Sequence, residues 1–166
     1  MGMKAFARAH DYYYKGVGWL QYLRPLVDLA LRLWVADAFF RAGLVKIHNM
    51  DSTIAIFENE YHVPLLPPDF AAYLGTGIEL TVPVLLAIGL FGRLSAGFMF
   101  VYNIICVVSY PDLWPDGFWT GLFGDGFNDH KIWGLMLLVT FVYGPGKLSL
   151  DYLLMRWFPK LRPSGW

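Results

Sequence analysis

The sequence predicts an all-α protein: an integral membrane four-helix bundle with both termini cytoplasmic, and short interfacial helices in the first outer loop and near the C-terminus. Hydrophobic residues make up 57% of the chain and charged residues only 16%, against roughly 25% charged in an ordinary soluble domain. Four apolar stretches punctuate a single membrane domain over residues 1–166. The basic residues gather on one side of those stretches, which is how a membrane protein declares its orientation.

A helix rising about 1.5 Å per residue crosses about 30 Å of hydrocarbon in roughly 20 residues. By that ruler the spans fall near 25–47, 70–91, 94–110 and 129–143, the last two short enough to borrow a turn from their flanks. "SYP" at 109–111 stops the third, because the residue before a proline leaves the α region. "FGRLS" at 91–95 is a tight connection, so spans two and three are antiparallel neighbours. The fourth span breaks at "YGPGK", where Pro145 lacks an N–H and two glycines flank it.

Beyond that break Ser149 caps a helix over 150–158, with Asp151 in its first turn and Leu150, Leu153, Leu154 and Trp157 along one side. A second interfacial helix is expected over 52–61, where Ile54, Phe57 and Tyr61 recur at helical spacing. The first 23 residues, rich in Tyr, Lys and Gly, contain no continuous apolar core of a cleaved signal peptide and are assigned no element.

Nine of the thirteen Lys and Arg residues fall at the termini or in the 91–95 turn. Lys46 and Lys131 sit at the opposite edge, and Arg32 and Arg41 lie inside span one. The positive-inside rule therefore places both termini in the cytoplasm. Trp19, Trp157 and Trp166 mark the inner edge and Trp114, Trp119 and Trp133 the outer, as expected of rings at headgroup level.

"DLALRLWVADAFFR" at 28–41 sets two acids and two arginines within an apolar run. At about 100° per residue, Asp28 and Arg32 lie close together, as do Asp37 and Arg41, and the two pairs fall on roughly opposite faces. A charge at the bilayer centre costs about 3 kcal/mol, whereas an i,i+4 pair returns about 0.5 kcal/mol. Other helices, snorkelling or water must supply the rest. Asp28 and Arg32 lie near the cytoplasmic edge and form a secondary intramembrane pair. Asp37 and Arg41, with Glu79 in span two, Asn103 in span three and His130 at the head of span four, are expected to converge in a polar cluster that opens outward. Gly75 and Gly77 would admit a close neighbour beside Glu79.

Such a cluster fits a quinone head group, a small anion or a metal ion, or it is an interhelical hydrogen-bond network that fixes packing. No metal site is expected, since His10, His48, His62 and His130 show no ligand spacing. A net charge of zero leaves no basic surplus for nucleic acid. The lone Cys106 excludes dithiol chemistry within the chain and reads as a small buried apolar residue. Nucleophile elbows and phosphate loops are absent.

"LRLWVADAFFRAGLVKI", "YLGTGIELTVPVLLAIGLFGRLSA" and "HKIWGLMLLVTFVYGPGKLSLD" together resemble the DoxX family of small bacterial membrane proteins. The most specific elements are the span-two glutamate followed by G-x-F-x-R-L and the late G-P-G-K-L-S-L-D. "FENEYHVPLLPPDFAAYLGT" looks like a subgroup encoded near enzymes that make modified metal-binding peptides. The resemblance implies a four-helix bundle in the bacterial inner membrane, linked to oxidative or metal stress, one branch serving as the membrane subunit of a thiosulfate:quinone oxidoreductase. It points to Arg32, Arg41, Glu79 and the segment 144–151.

The expected function is a membrane subunit in a redox or metal/oxidative-stress pathway that contacts a quinone or small polar ligand. In it Arg41 supplies fixed positive charge, Asp37 orients Arg41, and Glu79 accepts or relays a proton. The alternatives are a non-catalytic anchor for a soluble or peripheral partner protein and, more weakly, a small transporter. Membrane lipid and a second copy of the chain are the other expected partners.

Overall fold

The computed structural model describes residues 2–161, so Arg162 and Trp166 lie outside it. The described chain forms α1 (Gly2–Leu20), α2 (Arg24–His48), α3 (Met50–Asn59), α4 (Pro68–Ile88), α5 (Gly92–Ser109), α6 (Phe118–Phe123), α7 (Asn128–Tyr143) and α8 (Leu150–Trp157), with 3₁₀ turns at Pro111–Leu113 and Pro159–Leu161. The helices at the four expected spans and at both expected interfacial segments end within about two or three residues of the sequence boundaries, the scatter usual for helix ends. Two helices are not among those expected, α1 and the short α6 in the second outer loop. The N-terminal stretch is α1, a helix free of proline, in which the His10 and Tyr14 rings meet one turn apart, tilted at 48° with centroids 4.4 Å apart.

Helices α2, α4, α5 and α7 pack in a ring, α2 on α4, α4 on α5, α5 on α7 and α7 back on α2. Val35, Ala36, Phe39, Leu86, Ala96, Met99 and Leu137 fill its centre. Two of the four, α4 and α5, are long and apolar enough to cross a membrane. Proline at the start of α4 suits a first turn whose N–H groups have no partner, and Gly89 at φ +69° closes the helix in the left-handed conformation.

The turn from α4 to α5 is clasped by the segment that follows α7. Asp151 accepts hydrogen bonds from the backbone N–H groups of Phe91 (2.9 Å) and Gly92 (2.7 Å), and its own N–H donates to Gly89 O at 3.0 Å. Ser149 caps α8 as expected, accepting from Tyr152 N at 3.2 Å. A Cβ on Gly89 would lie 2.5 Å from Ser149 Cβ, so only glycine lets the clasp close.

Arg32 completes the clasp from the centre of the ring. Wholly buried, it donates to the carbonyls of Leu86 (3.1 Å), Ala87 (2.6 Å) and Leu148 (2.6 Å). Its charge faces the carbonyl dipoles at the end of α4, the negative pole of that helix, and the Asp28 and Asp151 carboxylates act on it through space. The expected Asp28–Arg32 pair is thereby corrected: Asp28 pairs with Arg24 at 3.8 Å instead, because Arg32 turns inward to carbonyls left open by the helix end. Arg93 acts likewise on α7, donating to Phe141 O at 3.0 Å and Val142 O at 2.5 Å.

Candidate functional site

Away from the clasp, the far end of the ring holds a cavity of about 350 Å³ bordered by α2, α3, α4, α5 and α7. Its position follows from one close approach. A Cβ on Gly43 would lie 2.9 Å from Glu79 Cβ, so α2 and α4 touch there through glycine. Lys46 stands one turn beyond Gly43 on the same face and meets the Glu79 carboxylate, donating to Oε1 at 2.6 Å and Oε2 at 2.5 Å. Tyr102 on α5 donates to the same Oε1 at 2.9 Å. The Glu79 side chain is 3% exposed and that of Lys46 19%, so the pair is largely withdrawn from solvent.

Pro83 has a bearing on this. Lacking an N–H, it cannot donate to the carbonyl of Glu79 one turn earlier, so the backbone beside the carboxylate is also left without its helical bond.

Helix α5 presents Tyr102, Cys106 and Ser109 to the cavity at i, i+4 and i+7. The Cys106 thiol neighbours the Tyr102 hydroxyl. Ser109 is 1% exposed and its Oγ is buried without a hydrogen-bond partner. An unsatisfied buried hydroxyl costs on the order of 1–3 kcal/mol, so its presence in a cavity wall marks a place where a ligand group would be stabilising.

The other walls are apolar, with aromatic rings set among aliphatic side chains. Phe39 lies edge-on to both Tyr102 (6.1 Å) and Trp133 (5.4 Å). Toward the mouth, Phe57, Tyr61 and Tyr110 form a continuous stack, with centroids 4.6 and 4.7 Å apart and planes 6° and 10° from parallel. Helix α3, expected as a surface helix, therefore roofs the cavity, held to α4 by Phe57 against Ala71 and Ala72. Burial in this roof pushes the Tyr61 phenol up to about 12.

His130 lines the same cavity and is held from α5. Asn103 Nδ2 donates to His130 O at 2.9 Å, and Asn103 Oδ1 lies 2.8 Å from His130 Nδ1. A carbonyl oxygen only accepts, so Nδ1 carries a proton and donates it to Asn103.

Of the five residues expected to converge, the structure brings Glu79 and His130 to the cavity and sets Asn103 behind His130. Asp37 and Arg41 lie elsewhere, which corrects the expected cluster. Arg41 Nε donates to both Asp37 carboxylate oxygens, at 2.9 and 2.8 Å, with the two side chains 75% and 58% exposed. The helix phase decides this. Arg32, Val35, Ala36, Phe39 and Gly43 form the buried side of α2, which turns Asp37 and Arg41 outward. The cation that reaches Glu79 is Lys46, read from sequence only as an edge charge. The signals were present: a glycine one turn before a lysine in α2, and the hydroxyl, thiol, hydroxyl series on α5. Among the described residues no group of three or more His, Cys, Asp or Glu could hold a metal ion.

The DoxX family pattern matches residues 27–111. The chain belongs to the DoxX family. It is also similar to a Haemophilus influenzae protein, described only as uncharacterized, with 31% identity over 133 residues covering 79% of this chain and 85% of that protein. No solved structure matches. Family membership, together with the apolar α4 and α5, makes this a membrane protein. The matched region contains Arg32, Lys46, Glu79, Tyr102 and Ser109, and so both the centre of the clasp and most of the cavity's polar wall.

Proposed function

We propose that this DoxX protein is a four-span bacterial inner-membrane protein, both termini cytoplasmic, that holds a quinone head group in the cavity as a membrane subunit of a redox or metal/oxidative-stress pathway. Helices α2 and α7 run against the two apolar helices and so share their depth. Outward-facing Trp34, Val45, Leu94 and Leu135 give large apolar side chains to the surface of all the helices concerned except α4, which adds Leu74 and Val84. The charge pattern supports an orientation with the clasp at the cytoplasmic end and the cavity toward the outside.

The observation that carries the ligand class is a mostly apolar cavity, rich in aromatic rings, with a few polar groups on its wall: Lys46, Glu79 and Tyr102, the unpaired Ser109 hydroxyl, and His130. Flat, largely apolar molecules with one or two carbonyl oxygens match that combination. A bound quinone supplies two-electron, two-proton chemistry. The chain's part is to bind and orient. Lys46 and Ser109 donate hydrogen bonds, the rings around them exclude water, and Glu79 with Tyr102 holds a proton at the site. Electrons come from a partner protein, since the lone Cys106 cannot cycle as a dithiol.

A photoreactive azidoquinone added to the protein in lipid nanodiscs should label peptides containing residues 57–61 or 102–110, and excess unlabelled quinone should compete. Lys46→Met should weaken labelling by about tenfold, the loss of one charge-assisted hydrogen bond. Labelling spread over the outer faces of the helices, or labelling insensitive to Lys46, would remove the proposal.

A further inference from the structure

The outward face of α2 combines features that no single copy satisfies. Leu26, Ala30, Leu33, Asp37, Phe40, Leu44 and Ile47 follow one another along it at alternating four- and three-residue spacings, all exposed but the half-buried Phe40, the seam of a helix pair. Asp37 stands at the middle of the seam with Arg41 beside it. Because Gly43 meets Glu79 and Arg32 meets Ala87, the stretch between them runs beside the second half of α4, which the span reading above puts at hydrocarbon depth. Asp37 also borders a groove of about 230 Å³ with Pro83 and Val84 of α4.

Arg41 holds Asp37 through Nε alone, and its two terminal amines bond to no described residue. The pair is thus half-satisfied, with two donors and the remaining carboxylate lone pairs pointing away from the chain.

Resting on the span reading above, we infer that a second copy of this chain covers this face, α2 against α2 about a twofold axis along the membrane normal. Two copies inserted with the same topology meet in parallel, and the symmetry places Asp37 of each about 6 Å along the axis from Arg41 of the other, within reach of an arginine side chain. Each guanidinium then bridges its own Asp37 through Nε and the partner's Asp37 through its terminal amines. Two acids and two arginines close into a ring of zero net charge, removed from lipid. A partner of other sequence would have to supply the same alternation by chance, whereas a second copy supplies it by symmetry. One polar position in an otherwise apolar seam also fixes the register.

The test is crosslinking of the full chain in its membrane. In a Cys106→Ala background, Leu44→Cys should give an oxidised covalent dimer, whereas Val101→Cys on the outward face of α5 should not. Asp37→Arg should lower the Leu44→Cys dimer yield by about tenfold through like-charge repulsion, and adding Arg41→Asp should restore it. Asp37→Asn, which keeps the shape without the charge, should give an intermediate yield and serves where Asp37→Arg does not accumulate. Monomeric Leu44→Cys in a folded chain, or full yield in Asp37→Asn or Asp37→Arg, would overturn the inference. Leu26→Cys and Ile47→Cys, labelled with an impermeant maleimide, separate it from the span reading. Labelling of both from one side defeats the span, whereas opposite-side labelling without crosslinking defeats the dimer alone.

Discussion

Replacing Lys46 by methionine removes the cation from a carboxylate that is 3% exposed, leaving Glu79 one hydrogen bond from protein, that of Tyr102. Breaking a buried ion pair by deleting one partner costs about 3–5 kcal/mol, because the other charge stays desolvated. The reverse variant, Glu79→Gln, should cost less. Lys46 is 19% exposed on a flexible stem near the mouth of the cavity and can turn its ammonium toward water. Removing both charges leaves no orphan, so Lys46→Met/Glu79→Gln should be more stable than Lys46→Met alone by about 2 kcal/mol. Thermal unfolding in detergent, followed by circular dichroism with the chain at fixed concentration, reads this order. At about 2–4 °C per kcal/mol for a domain of this size, Lys46→Met should fall by on the order of 10 °C and the double variant should recover part of that loss. Equal losses in the two single variants that add in the double would show the pair to be an exposed, uncoupled contact, and the account of the cavity as a desolvated site would fail.

Arg32→Lys keeps the charge but cannot reach three carbonyls on two segments at once, so it should destabilise the fold by about 2–3 kcal/mol in the same assay and raise proteolysis after α7. Gly43→Ala would place a methyl 2.9 Å from Glu79 Cβ and 3.1 Å from its backbone carbon, costing about 1–3 kcal/mol by overpacking and loosening the Lys46–Glu79 contact. Tyr61 ionises only when pH rises to about 12. Its folded value is raised, so its contribution to stability is complete below its ordinary value near 10 and is lost as pH climbs through 12. Ultraviolet titration of tyrosinate should therefore show that Tyr61→Phe lacks a step near the upper value; loss of a step near 10 would contradict the buried roof.

Periodicity made the helices legible because proline, glycine and apolar spacing act locally. It also placed Arg32 and the Asp37–Arg41 pair on opposite sides of α2. What it could not supply was which side faces the other helices. Depth favoured Asp37 and Arg41 as the inward pair, and packing chose Arg32, since only that residue can reach the open carbonyls of α4. Glu79 was recognised from its place in an apolar helix, but its partner was not. Lys46 lies near a helix end and reaches Glu79 only because two backbones touch at Gly43, a distance no one-dimensional pattern contains. The family motifs, G-x-F-x-R-L and G-P-G-K-L-S-L-D, were legible as signatures and proved to be the two halves of one clasp.

That clasp has a consequence for how the chain is made. Arg32 emerges from the ribosome more than a hundred residues before Leu148, whose carbonyl it needs. Until those residues follow, its guanidinium lacks at least one of its three final acceptors, and the start of α5 lacks the Asp151 carboxylate. The ring can therefore close fully only after residues 148–151 have been made, which ties the sealing of the core to one of the last segments to leave the ribosome.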